Sequence, residues 1–214
     1  ASRAGAAWHS GIRHAERALA LDPRNPAALE RRGILRYWLW LAGAPGADSA
    51  ARLLDNAEGD LRLAVAVDPN RAAAWSHLAG ILLSRGSFAE AYIAARRAYE
   101  ADAFLENAEQ ILSDLVTTSL ELADTAEARR WCDEIDRDFR RSPTAAFCRL
   151  SLLAWSAQPG PSMVERTAAI IDETVTTADL RPVVRPQLEM LAAVALARAG
   201  LRDAAEATVG RARA

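Results

Sequence analysis

Lysine is absent from this chain, and all 26 basic residues are arginine. Beside so much alanine, this indicates the codon bias of a GC-rich genome more than a selection for charge. The 28 acidic residues leave a net charge of −2, so no basic excess predicts nucleic-acid binding. No apolar run approaches the roughly 20 residues of a membrane span, and no signal peptide is visible. We therefore expect neither nucleic acid as a partner nor membrane insertion of this segment.

Cysteine and histidine are also scarce. The two cysteines, Cys132 and Cys148, are too few for a disulfide framework. The three histidines, His9, His14 and His77, lack the spacing of metal ligands. The sequence therefore predicts two buried free thiols, no metal site and no cofactor.

Catalytic motifs are missing as well. The chain has no glycine-rich phosphate loop, no nucleophile elbow, and no histidine paired with a nucleophile and an acid. The stretch CDEIDRD, which begins at Cys132, offers four carboxylates, but Arg137 and Arg140 lie at the spacing of surface ion pairs. We therefore predict no catalytic residues and a protein that is not an enzyme.

Helical periodicity runs through almost the whole chain. Apolar residues recur at i, i+3, i+4 and i+7, and alternating β-branched runs are missing. Helix-ending signals punctuate the pattern at regular intervals: Asp22-Pro23, Asp68-Pro69, Arg85-Gly86, Ser142-Pro143 and Ala199-Gly200. The pattern predicts an all-α protein.

One segment shows how the helices are paired. AWSHLAGILLSRGSFAEAYIAARRAYEADA predicts two helices joined at Arg85-Gly86. One face of the first presents Trp75, Leu78, Ala79 and Leu82, and one face of the second presents Ala91, Ala95 and Ala98. This segment resembles a tetratricopeptide repeat, with Ala79 where that family prefers glycine and Leu82 where it prefers tyrosine.

The same frame recurs along the chain. First helices open at Leu29, Trp75, Leu112, Phe147 and Glu189. Second helices show a small, apolar, small triplet at Gly11/Ala15/Ala18, Ala57/Leu61/Ala64, Ala91/Ala95/Ala98, Ala128/Cys132/Ile135 and Ala205/Val209/Ala212, with Ala168 as the anchor in the fourth repeat. Short side chains permit close helix contacts. The resemblance implies a right-handed superhelical solenoid of about eleven helices in antiparallel pairs.

We expect one repeat domain over residues 1–214. Its parts are a second helix of a truncated repeat or an N-terminal cap (1–22), a repeat with an extended hairpin (26–70), and further repeats at 72–105, 109–143, 144–182 and 186–214. Because the chain begins inside a repeat and lacks an initial methionine, we expect an excerpt of a longer protein.

The first repeat is unusually long. Its opening and the next lie 46 residues apart, against a family period of about 34. Within the excess, Tyr37, Trp38 and Trp40 precede a turn predicted at 44–46. We expect Trp8 or the lengthened second helix to cover Trp38. We expect Trp40 or Tyr37 to stay at least half exposed, or to be buried only by another chain, as a protein-contact edge. The alternative is that all three rings are buried in the core.

The resemblance also implies where a ligand would lie, because first helices line the concave groove of tetratricopeptide proteins. The candidate partner-binding residues are Arg31, Ile34, Tyr37, Trp38, Trp40, His77, Asp114, Glu121, Arg149, Trp155 and Arg198. Some members of the family hold a peptide's terminal carboxylate in a clamp that requires an asparagine on a first helix. This clamp is absent, because the corresponding positions of the five repeats are Ile34, Gly80, Thr117, Leu152 and Val194. We expect a protein or peptide partner, with self-association as one form of contact.

A second hypothesis concerns context. RGILRYWLWL, ARRAYEADAFL and RRWCDEIDRDFRRSP resemble the repeat region behind the kinase domain of some bacterial serine/threonine protein kinases. That resemblance implies a regulatory or sensor region of a larger signalling protein. A cytoplasmic location is favoured, with an extracytoplasmic one if a membrane helix precedes this region.

Overall fold

A computed structural model describes residues 3–43, 47–102, 107–156, 162–175 and 181–213. Within these ranges there are eleven α-helices and no strand, which confirms the predicted all-α fold class. The helices are α1 (Arg3–Leu21), α2 (Pro26–Leu41), α3 (Ala47–Val67), α4 (Ala72–Ser84), α5 (Phe88–Ala101), α6 (Ala108–Glu121), α7 (Thr125–Asp138), α8 (Pro143–Ser156), α9 (Ser162–Thr174), α10 (Arg181–Arg198) and α11 (Arg202–Arg213).

The chain forms two compact units, Ala1–Asp114 and Leu115–Ala214. In the first unit each helix from α1 to α5 packs on the next, and α2 also contacts α4. In the second unit α7 packs on α8, α8 on α9, α9 on α10 and α10 on α11, while α8 also contacts α10. Contact between alternate helices places the first helices of successive repeats side by side, which is how a row of first helices can form a groove.

Three of the turns that join paired helices share one geometry. Each turn contains one residue with a positive φ after the end of the first helix. These residues are Gly86 (72°), Ala123 (59°) and Gly200 (79°). In each turn the next residue donates its backbone N–H to the carbonyl five positions back, as from Ser87 to Leu82 at 2.9 Å. In two of these turns the residue is glycine, which adopts the left-handed conformation easily because it has no Cβ. Ala123 adopts the same conformation although it has a Cβ.

We expect Ala123→Gly to stabilise the protein by about 0.5–1 kcal/mol, because it relieves the left-handed backbone while adding some unfolded-state entropy. Ala123 is exposed, so no packing is lost. Urea unfolding measures the effect. Ala126→Gly, at an exposed position inside α7, is the control and should destabilise. A destabilised Ala123→Gly variant would contradict the assigned backbone conformation.

Small side chains occupy fully buried positions on the second helices. Ala91, Ala95 and Ala98 of α5 are all fully buried, as are Ala57 and Ala64 of α3. Alanine at such positions lets two helix backbones approach, and the contact repeats from pair to pair. The predicted frame therefore identifies the buried faces of α3 and α5.

The anchor predicted at Ala168 is wrong. Ala168 is exposed, whereas Thr167, Ile171 and Thr174 of α9 are buried. The triplet is thus present one residue earlier, with threonine in place of alanine. Each buried threonine hydroxyl donates to a carbonyl of its own helix, Thr167 to Val164 at 3.0 Å and Thr174 to Ile170 at 2.8 Å. This local pairing allows a polar residue to occupy a small-residue site.

Replacing Ala91 with leucine should destabilise the protein by about 1–3 kcal/mol, because the added side chain overpacks a contact with no exposed surface. Thermal or urea unfolding would detect the change. Ala89→Leu on the exposed face of the same helix is the matched control and should have little effect. Equal stability of the two variants would show that Ala91 does not lie at a close contact.

Charged side chains connect the helices of the first unit. The buried carboxylate of Asp60 on α3 accepts hydrogen bonds from Arg32 at 2.9 and 2.6 Å and from Arg36 at 2.6 Å, both on α2. Glu30 of α2 pairs with Arg71 at 2.8 Å and accepts from the backbone N–H of Ala74 at 3.2 Å. Glu30 therefore caps the N-terminus of α4 from the preceding repeat.

The prediction of two free thiols is wrong. Cys132 of α7 and Cys148 of α8 form a disulfide, with their Cα atoms 5.8 Å apart. Both residues lie on buried faces of adjacent helices, where the separation suits disulfide geometry. Residue count alone did not reveal this, because the pairing depends on which faces of two helices meet.

Candidate functional site

The first repeat has the extended hairpin that its length predicts. Helices α2 and α3 have 16 and 21 residues, whereas α4 and α5 have 13 and 14. The predicted turn at 44–46 lies outside the described residues. The added turns of α2 bear the aromatic side chains of this repeat.

These aromatic rings form a connected cluster. Trp38 lies 6.0 Å from Trp8 of α1 and 6.0 Å from His77 of α4, measured between ring centroids. Tyr37 packs edge-on against His77 at 6.0 Å and stacks on Trp40 at 5.7 Å. The contact between Trp8 and Trp38 agrees with the expected covering of Trp38.

The expectation that Tyr37 or Trp40 would be at least half exposed is wrong, and so is the alternative of complete burial. Tyr37, Trp38 and Trp40 are all partly buried. Trp40 lies one turn from Tyr37, so the two rings cover each other on the helix surface. The residue that projects at this end of α2 is Leu41, with 59% of its surface exposed.

A groove of about 810 Å³ lies within the first unit beside this cluster. Its lining comes from α2, α4 and the segment that begins α6: Arg31, Ile34, Tyr37, Trp38, Leu41, Ala73, Ser76, His77, Gly80, Leu83, Asn107, Gln110 and Asp114. On α2 and α4 these residues recur every three or four positions, which places them on one face of each helix. Six predicted site residues, Arg31, Ile34, Tyr37, Trp38, His77 and Asp114, are brought together here.

The groove exists because α4 contributes small side chains opposite large ones. Gly80 lies where the Tyr37 side chain crosses α4, and a Cβ at Gly80 would lie 2.9 Å from the Tyr37 hydroxyl. Glycine thus lets the phenol ring extend across the neighbouring helix. A larger residue at Gly80 would displace Tyr37 and occupy part of the groove.

Asp114 is a buried carboxylate on the groove lining, with 6% of its surface exposed. Its Oδ1 accepts a hydrogen bond from Nε2 of Gln110 at 2.8 Å. Burial raises the pKa of Asp114 to about 6, and the bond from Gln110 offsets only part of this rise. Burial also raises the pKa of Tyr37, and the nearby charge of Asp114 adds to that rise.

His77 is held as a neutral ring in the same groove. Burial lowers its pKa, and the hydrogen bond with Ala73 counteracts only part of this effect. Its Nδ1 lies 2.8 Å from the Ala73 carbonyl, which can only accept, so Nδ1 bears the proton. In the neutral ring Nε2 is then a hydrogen-bond acceptor.

The raised pKa of Asp114 predicts how stability depends on pH. The folded chain binds this proton more tightly than the unfolded chain does, so stability is lost as the pH rises from about 4 to about 6. Asp114→Asn should therefore raise the free energy of unfolding by about 1–3 kcal/mol near pH 7.5 and leave it unchanged near pH 3.5.

Urea unfolding across this pH range measures the difference between the two proteins. Glu109→Gln, which removes one negative charge from the same helix at a position that does not line the groove, is the control. A constant difference between wild type and Asp114→Asn at every pH would contradict the raised pKa.

The other predicted site residues lie elsewhere. Trp40 stacks behind Tyr37 and does not line the groove. In the second unit, Glu121 is exposed at the end of α6. Arg149 forms ion pairs with Asp136 at 2.8 Å and with Glu173 at 3.3 Å, both within the second unit.

Arg198 and Trp155 also lie in the second unit. The Arg198 guanidinium carbon lies 5.1 Å from the Trp155 ring centroid, a cation–π contact. Arg198 also donates to the Ala154 carbonyl at 3.3 Å. These two residues therefore contact each other within the second unit.

Sequence reasoning missed five groove residues: Leu41, Ala73, Leu83, Asn107 and Gln110. Gln110 precedes Asp114 by one helical turn, a spacing that could have indicated their hydrogen bond. Asn107 lies just before α6 and donates from Nδ2 to the Ser76 hydroxyl at 2.6 Å. No spacing rule reveals that contact, because it joins two repeats.

In the ranges that the structure describes, no group of three or more histidine, cysteine, aspartate or glutamate side chains could hold a metal ion. Over the same ranges, no helix combines the length and the hydropathy needed to cross a bilayer.

Known structures provide a comparison for this arrangement. YrrB, described as a TPR protein with an unusual peptide-binding site, matches with a TM-score of 0.61 and 15% identity over 92% of this chain and 90% of its own. PilF of Pseudomonas aeruginosa matches with a TM-score of 0.61 and 17% identity, over 96% and 88% of the two chains. BtubC (BKLC) from P. vanneervenii matches with a TM-score of 0.61 and 18% identity, over 99% of this chain and 89% of its own.

No protein-family model matches the sequence. No curated protein matches it either. The structural matches show that the chain has a tetratricopeptide-like fold.

Proposed function

We propose that this protein is a non-enzymatic interaction module that binds an extended peptide segment of a partner protein in the groove of the first unit. The observation that supports this most directly is the groove itself. It is about 810 Å³ in volume and combines aromatic side chains with a few buried polar groups. Peptide-binding sites use this combination, in which apolar surface contributes affinity and a few polar groups fix register.

The fold adds support. Repeat proteins with stacked helix pairs offer extended surfaces on their first helices, and binding is their usual role. YrrB, whose fold is similar, is described as having a peptide-binding site. Trp8, Trp38, Leu41 and Ala42 line a further apolar hollow of about 470 Å³, which would extend the contact surface beyond the groove.

Gly80→Leu tests the groove directly. The leucine side chain would displace Tyr37 and fill the space beside it, so it should weaken peptide binding at least about tenfold. Peptides would be selected by display on the immobilised full chain, then measured by fluorescence anisotropy against the purified variants.

Gly59→Leu is the matched control, because a Cβ at Gly59 of α3 meets no atom within 4 Å. This variant makes the same substitution inside a helix and should bind as wild type does. Circular dichroism would establish that both variants are folded. Unchanged binding by Gly80→Leu would refute the groove as the binding site.

The alternative function is that of a regulatory or sensor region in a larger bacterial signalling protein, such as a serine/threonine kinase. Its support is the resemblance of the segments around Trp38, Tyr99 and Trp131 to the repeat region of such kinases. The coding sequence upstream of this segment would decide: a kinase signature with its catalytic lysine and aspartate supports this hypothesis, and a free-standing repeat protein refutes it.

A further inference from the structure

The chemistry of the groove favours one kind of peptide side chain over others. This inference rests on the proposed function, because it concerns which residue the groove selects. The buried acceptor is the carboxylate of Asp114, whose Oδ1 receives the amide of Gln110. A buried carboxylate interacts more strongly with a charge in the groove than an exposed one does, because less water screens the pair.

Aromatic side chains line the same groove as this carboxylate. Tyr37, Trp38 and His77 all line the groove, and the His77 ring lies 6.0 Å from each of the other two. The π faces of tyrosine and tryptophan attract cations, and their apolar surface packs against the methylene chain of lysine or arginine. Neutral His77 adds an acceptor nitrogen and no positive charge of its own.

Arg31 is the one positively charged side chain among the described groove residues, and it is exposed. Water and salt screen an exposed charge far more than a buried one. The lining therefore combines a screened positive charge at the surface with a buried negative charge. This polarity favours a basic side chain over an acidic one.

We propose that the groove selects a peptide bearing a lysine or arginine, whose charged end contacts Asp114 and whose methylene chain lies against Tyr37 and Trp38. Binding then holds Asp114 in its ionised form.

A pH dependence follows from the surroundings of Asp114. Gln110 donates to Asp114 from its own helix, and the titratable side chains that share the groove lining with it are Arg31 and Tyr37 on α2 and His77 on α4. Below about pH 6, protonation of Asp114 removes the attraction for a cation. Burial lowers the pKa of His77, and protonation of this ring adds a positive charge to the groove, so both changes weaken binding of a cation as the pH falls.

The test uses pools of synthetic peptides of about nine residues, acetylated and amidated, with one central residue fixed as arginine, lysine, glutamine, norleucine or glutamate. The flanking positions are randomised among apolar and small residues. Fluorescence anisotropy measures binding to the full chain, to Asp114→Asn and to the control Glu109→Gln, near pH 7.5 and near pH 5. Urea unfolding verifies that each variant is folded.

We expect the arginine and lysine pools to bind about tenfold more tightly than the glutamine and norleucine pools. In Asp114→Asn this preference should fall below about threefold, whereas Glu109→Gln should retain it. The preference of wild type should also shrink near pH 5, and that of Asp114→Asn should not.

Other outcomes overturn the proposal in distinguishable ways. If neutral pools bind as tightly as basic ones and Gly80→Leu blocks both, the groove binds peptides without selecting a cation. If the glutamate pool binds most tightly, Arg31 determines the preference and the assignment to Asp114 is wrong. If no pool binds, the cation preference and the proposed peptide groove fail together.

Discussion

Close contact between helix backbones is the constraint on which this structure depends. Alanine occupies buried positions of α3 and α5 with no exposed surface, and such short side chains permit a close approach of neighbouring helices. A close contact restricts the crossing angle of the two helices, and its recurrence along the chain produces a regular series of helix pairs. Contacts between alternate helices, α2 with α4 and α8 with α10, follow from that series.

The groove is a consequence of the same packing. When first helices lie side by side, the residues on their free faces share one surface, and its depth depends on side-chain size. Here α4 presents Ala73, Ser76 and Gly80, while α2 presents Tyr37 and Trp38. The small residues of α4 leave the space that the rings of α2 enclose, and Gly80 allows the Tyr37 ring to reach across. One packing rule therefore serves both the core and the candidate site.

The buried polar groups of the first unit fall into two kinds. Asp60 lies in the core and accepts hydrogen bonds from the guanidinium groups of Arg32 and Arg36. Asp114 lies on the groove, where the amide of Gln110 is a weaker support, and burial raises its pKa to about 6. A carboxylate that is costly to ionise in the free protein is suited to a role in binding, because a ligand can stabilise its charge.

The sequence by itself determined the helical class, the number of helices and most of the buried faces, because these follow from local periodicity and from small residues at fixed spacing. It also located the aromatic residues of α2 and six of the groove residues, since both belong to the faces of first helices. It failed where two separate helices had to be placed against each other. The disulfide of Cys132 and Cys148, the bond from Asn107 to Ser76 and the stacking that covers Trp40 all depend on which faces meet and how far apart they lie. Burial of Asp114, and with it the electrostatics of the groove, was likewise decided only by the tertiary structure, because a carboxylate loses its water only when neighbouring helices close around it.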